Sequence, residues 1–137
     1  MATFDLNARK AGDSSFLIAG KGRHPEFVSI DFDAETFDVK PAIADDILFF
    51  TVPKGSYVQA VTFEIVTPNA GAATANVGFT GALTAIAAAQ DLTAAATVMY
   101  NTPQAFAVDT QFIATIAGAD IDKLHAVMSI LISQPGR

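Results

Sequence analysis

The 137-residue chain has no cysteine and no tryptophan, only two histidines and two tyrosines, and charge on just 16% of its residues. Without cysteine there are no disulfides, no thiol catalysis and no zinc–thiolate site, and the redox compartment stays open. Without tryptophan, and with Tyr57 and Tyr100 as the only tyrosines, a sugar finds few rings to stack on. GxSxG, HExxH, GxGxxG and P-loop patterns are all missing, so the chain is expected not to be an enzyme and to need no cofactor. Basic residues are scarce: eight Lys and Arg against 14 Asp and Glu give a net charge of −6. That sign is opposite to the basic footprint of nucleic-acid binding. Met1-Ala2-Thr3-Phe4-Asp5 has no basic stretch leading into an apolar one, so no cleaved leader is expected and folding in the cytoplasm is the expectation. The uncharged stretch from Ile65 to Gln90 is long enough to cross a bilayer, but Pro68, Asn69, Gly71, Asn76, Gly78 and Gly81 interrupt it, so no membrane helix is expected.

What is present points to one folded domain. The length matches a single domain of about 150 residues, and 51% hydrophobic composition is far from the signature of disorder. Charge is unevenly placed. Of the 22 charged residues, 14 lie in positions 1–46, and only Lys54, Glu64 and Asp91 lie between Ile47 and Val108. A buried sheet core accounts for part of that depletion. The abundance of Ala, Thr, Asn, Gln and Gly in the same stretch predicts a neutral small-residue surface of the kind found between subunits, hence self-association.

Beyond residue 26 the dominant pattern is alternation of apolar and polar residues, the signature of half-buried strands. Phe27–Phe32 places Val28, Ile30 and Phe32 on one face. Ile47–Val52 is a continuous apolar run, as for a strand buried on both faces. Pro53-Lys54-Gly55 supplies a turn into Ser56–Val66, whose Tyr57, Val61, Phe63 and Ile65 share a face, and the two runs together predict a hairpin. A second turn at Thr67–Gly71 leads to Ala73, Ala75, Val77 and Phe79, the expected third strand of a meander. Thr110–Ala117 and the run Leu124, Ala126, Met128, Ile130 and Ile132, joined by Gly118-Ala119-Asp120, predict a C-terminal hairpin. Ala82–Met99 is alanine-rich without a clean strand period and is read either as one short helix or as an ordered loop. The expectation is an all-β sandwich, jelly-roll-like, over residues 26–137, preceded by an extended arm over residues 1–25.

Candidate chemistry is thin. Asp31, Asp33 and Glu35 stand at i, i+2, i+4 like the start of a calcium loop, but the glycine and the later glutamate of such a loop are missing, so a solvated acidic edge is expected and no metal. His24 follows Lys21 and Arg23 in the arm, and His125 sits beside Lys123 on the polar face of the last strand; both are read as surface or interface residues. Gly20-Lys21-Gly22-Arg23 is read as a flexible contact loop.

Three stretches carry a family resemblance: Ala44-Asp45-Asp46-Ile47-Leu48-Phe49-Phe50-Thr51-Val52-Pro53-Lys54-Gly55, then Val58 through Glu64-Ile65-Val66-Thr67, then Asn76-Val77-Gly78-Phe79. Together they resemble the small β-structured virion proteins of tailed bacteriophages, above all those that decorate or cement the capsid. In that group an Asp-led apolar strand, a Pro-x-Gly turn and a long strand ending in a Glu-x-x-Thr-like stretch precede a Val-Gly strand. A later Asp-initiated strand is similar to Asp109-Thr110-Gln111-Phe112. The resemblance spans residues 44–133 and leaves the arm unmatched. One departure is Phe79-Thr80, where such proteins often continue with an acidic turn.

The resemblance implies a jelly-roll-like sandwich that forms a homotrimer on the capsid surface of a virion, at local three-fold positions, where it clamps neighbouring major capsid proteins. Sister subunits would face the neutral middle. The arm would lie on the shell or on an adjacent trimer, with Arg9, Lys10, Lys21, Arg23 and His24 as donors to acidic capsid surface. Nucleic acid, membrane, cofactor and metal have no part in it. The alternatives are a phage tail or fibre component and a carbohydrate- or ligand-binding β-sandwich module, which would show exposed aromatic side chains on a concave face.

Overall fold

A computed structural model describes residues 3–6 and 26–133. Among these residues ten strands follow one another: β1 (Thr3–Asp5), β2 (Glu26–Asp33), β3 (Asp46–Val52), β4 (Tyr57–Thr67), β5 (Thr74–Phe79), β6 (Ala82–Asp91), β7 (Ala96–Tyr100), β8 (Gln104–Ala105), β9 (Thr110–Ala117) and β10 (His125–Ser133). One 3₁₀ turn, Ala34–Thr36, follows β2 and is capped by Asp33, whose carboxylate accepts from the Glu35 N–H at 3.1 Å. The strands form two sheets. One has the order β1-β3-β9-β5-β6, the other β2-β10-β4-β7 with β8 beside β4.

Eight long strands pair outermost with outermost, all antiparallel: β2 with β10, β3 with β9, β4 with β7 and β5 with β6. That nesting is what one long hairpin gives when it is folded over on itself, and it defines a jelly roll. The all-β sandwich expected from the alternation is therefore the observed architecture.

Strand partners differ from the expectation. β3 and β4 do not form a hairpin, since β3 lies in one sheet and β4 in the other; the same holds for β9 and β10, and β5 is not beside β4. Alternation reports which side chains face the core, and both sheets share one core, so consecutive strands keep the pattern while changing sheet. The Pro53–Ser56 turn makes one such crossing: Ser56 N–H donates to Pro53 C=O at 3.2 Å, and Gly55 sits at φ +87°, the left-handed region. Only β5–β6 is a hairpin between consecutive strands among the described residues.

The alanine-rich segment is neither helix nor loop. It forms β6 and β7. Alanine's helix propensity is a weak prior that long-range pairing overrides. The strand period was hidden because β6 is bulged: its pairing with β5 shifts between Ala75 and Val77 and again between Val77 and Phe79. The Ala89 N–H released by the first shift donates to the Asn76 side chain at 2.8 Å. A bulge at Gln59 in β4 likewise reverses the phase, so that Val58 is buried and Tyr57, expected on the core face, is exposed.

Core packing is aromatic in three places. Phe49 meets Phe63 edge-on at 6.1 Å in the middle of the sandwich. At one end Phe79, Phe106 and Phe112 form a mutual cluster with centroids 5.2–5.8 Å apart. At the opposite edge Phe37 stacks on Phe32 at 5.2 Å and takes Phe4 edge-on at 5.6 Å. This last contact, with Leu6 buried, ties β1 into the fold, where it runs parallel to β3. Thr3–Leu6, part of the expected arm, thus belong to the sandwich.

Candidate interaction surfaces

Four connections gather at one end of the sandwich: β2–β3, β4–β5, β6–β7 and β9–β10. They are stitched by side chains. Asn69, buried, accepts from the Asp122 N–H at 2.8 Å and donates to the Gly71 and Asp120 carbonyls at 3.1 and 3.3 Å. Asp122 accepts from Ala70 N–H at 2.9 Å and Gly71 N–H at 3.0 Å, and Asp120 accepts from Ile43 N–H at 3.1 Å. The Ala70 N–H in particular holds the Asp122 carboxyl below its ordinary value. Asp91 is lowered in the same way by Thr93, whose hydroxyl and N–H donate to it at 2.6 and 2.9 Å. These carboxylates serve as acceptors that hold loops.

The acidic group read from sequence is dispersed in its roles. Asp31 approaches His125 Nε2 at 3.3 Å across the β2–β10 ladder, Asp33 caps the 3₁₀ turn, and Glu35 is exposed. Among the described residues no group of three His, Asp or Glu side chains is placed to hold a metal ion. His125 has Asp31 as its acidic neighbour. Arg9, Lys10, Lys21, Arg23 and His24, the expected contact residues of the arm, lie outside the described residues.

Two surfaces stand out for what they expose. On the outer face of the β2 sheet, register aligns Phe27 with Leu131 and Ala60, then Ser29 with Ser129, Thr62 and Met99, then Asp31 with Val127, Glu64 and Thr97. Phe27 is 69% exposed and Met99 61%. The second surface is the long edge where β6 ends one sheet and β7 ends the other, the two touching across the sandwich. It carries one charge, Asp91, between Thr80 and Val108. The opposite edge, β1 with β2 and its following turn, holds Asp5, Glu26, Asp31, Asp33 and Glu35. The neutral stretch is visible in the sequence but the edge it forms is not, because the bulges of β6 hide its strand period.

No protein-family model matches the chain, and no curated protein matches it in sequence. Its fold recurs in solved phage capsids. A chain of the acidic stable capsid structure of Helicobacter pylori bacteriophage KHP30 superposes with a TM-score of 0.58 at 13% identity, over 84% of this chain and 91% of that one. A chain of the cyanophage Pam1 capsid asymmetric unit gives 0.61 at 19%, over 85% and 89%, and one of the capsid of Ralstonia phage GP4 gives 0.54 at 15%, over 82% and 86%. The likeness is one of fold. The two-way coverage means that each matched chain is about the length of this one, a whole small sandwich.

Proposed function

We propose that this chain is a structural protein of a phage virion that decorates the capsid surface and cements it by bridging neighbouring major capsid proteins. One observation carries the reading: three phage capsid structures contain a chain of nearly this length with this jelly roll, over 82–85% of the present chain. The role is mechanical. Such a protein buries area between capsomers and resists outward pressure with no chemical step, which agrees with loops whose carboxylates are occupied in holding backbone.

In this reading the chain is made in the host cytoplasm, assembles as a homotrimer and is fixed on the shell by its N-terminal arm. Arg9, Lys10, Lys21, Arg23 and His24 donate to acidic groups of the major capsid protein, and several arms per trimer act at high effective concentration. The test is capsid occupancy after the four basic residues of the arm are replaced by Ser. Replacement is preferred to truncation because Phe4 and Leu6 belong to the core. Lost or salt-sensitised occupancy with an unchanged fold supports the arm contacts, and unchanged occupancy removes them.

A further inference from the structure

Among the described residues 13 carboxylates stand against Lys40, Lys54 and Lys123, so two copies approaching one another repel over most of their surface. The β6–β7 edge is the exception. From Thr80 to Val108 its one charge is Asp91, whose carboxylate is engaged by Thr93. Of those 29 residues 18 are exposed and eight half-buried, a number that fits the 20–30 residues each partner gives to an interface of ordinary size.

The composition of the edge is unsuited to a surface that stays in water. Edge strands of monomers are guarded by Lys, Pro or inward charge. β6 has its bulges, but β7 reads Ala-Thr-Val-Met-Tyr with no charge and no proline, and it is the last strand of its sheet. Leu83 is 50% exposed and Met99 61%. Ten alanines lie in the same span. An alanine loses no rotamer freedom on burial, whereas a lysine or glutamate loses the freedom of several rotatable bonds, so covering this surface costs little side-chain entropy.

From this we infer that the β6–β7 edge is where a second copy of this chain seats. A basic partner would take the acidic β1–β2 edge instead; only a partner sharing this chain's negative charge is restricted to the one neutral side. The inference rests on the self-association in the proposed function and names its surface.

The experiment is the mass of the purified full chain by light scattering at about 50 µM, with circular dichroism and melting as fold checks. The wild type is expected at a multiple of 14.3 kDa. Met99→Glu on β7 and, separately, Ala88→Glu on β6 place negative charge on exposed positions of the edge and are expected to weaken self-association about a hundredfold or more with melting unchanged, because the approaching copy is itself acidic. Val39→Lys, at a 74% exposed loop position on the charged end, and Met99→Leu are expected to leave the mass unaltered. A monomeric wild type overturns the inference, as do both charged variants keeping the wild-type mass. No capsid enters the readout, so failure here is separate from failure of the virion reading.

Discussion

Asn69 and Asp122 each hold the loop that carries the other. Asn69 Oδ1 accepts from the Asp122 backbone N–H at 2.8 Å, while the Asp122 carboxylate accepts from Ala70 and Gly71, the two residues after Asn69. The pair fastens the β4–β5 connection to the β9–β10 connection, both of which cross between sheets. Asn69→Ala strands the Asp122 N–H and the Asp120 carbonyl, while the Gly71 carbonyl keeps the Ala73 N–H, and a buried group left unpaired costs about 1–3 kcal/mol. The expected result is a melting temperature lower by about 4–10 °C, and an unchanged one would show that the clasp carries no stability.

Acid should open the same clasp. The Asp122 carboxyl is held below the ordinary 3.8 first of all by the Ala70 N–H. A depressed folded value means that its contribution is present above the unfolded value and is lost as pH falls through the lower folded value. Stability measured from pH 6 to pH 2 should therefore fall more steeply below about pH 4 in the wild type than in Asp122→Asn. Parallel curves would contradict the assignment.

Gly78 is a place where a side chain has no room. A Cβ there runs into the backbone of Ala82 and Leu83, where the bulged start of β6 lies against β5. Gly78→Ala is expected to cost about 3 kcal/mol or more, since backbone must move. Gly81→Ala meets nothing within 4 Å and bears only the strain of φ +92°, so its cost should be smaller, about 1 kcal/mol. Denaturant unfolding of the two variants ranks them, and the reverse order would mean that the start of β6 does not lie against Gly78.

Much of the architecture was legible in the chain. Val28, Ile30 and Phe32, then Phe112, Ala114 and Ile116, then Ala126, Met128, Ile130 and Ile132 alternate in sequence and are buried or half-buried in the sandwich, because one side of each strand meets water. Pairing was not legible. Nothing local distinguishes a turn that returns to the same sheet from one that crosses, and β3 pairs with a strand far along the chain, from Val52 with Thr110 to Asp46 with Thr115. The bulges at Gln59 and within β6 broke the period where it was most needed, hiding β6 and turning Tyr57 outward, and the short β7 was lost in the same alanine-rich stretch. The neutral middle was visible as composition. Its concentration at one edge depended on those hidden strands.

Core and surface phenylalanines should separate cleanly. Phe112 is fully buried against Phe79 and Phe106, so Phe112→Ala is expected to cost about 3–5 kcal/mol. Phe27, 69% exposed, should change stability by less than about 0.5 kcal/mol when replaced by Ala. Thermal unfolding of both measures the contrast, and equal losses would mean that Phe27 is covered in solution.

In the proposed role this jelly roll would stand on the outside of a phage head and join its capsomers. A cryo-electron reconstruction of the particle with which the chain co-purifies tests it most directly. The expected result is density for the sandwich at three-fold or quasi-three-fold positions, seated across contacts between major capsid proteins. Density confined to the tail, or no density on any particle, would contradict it.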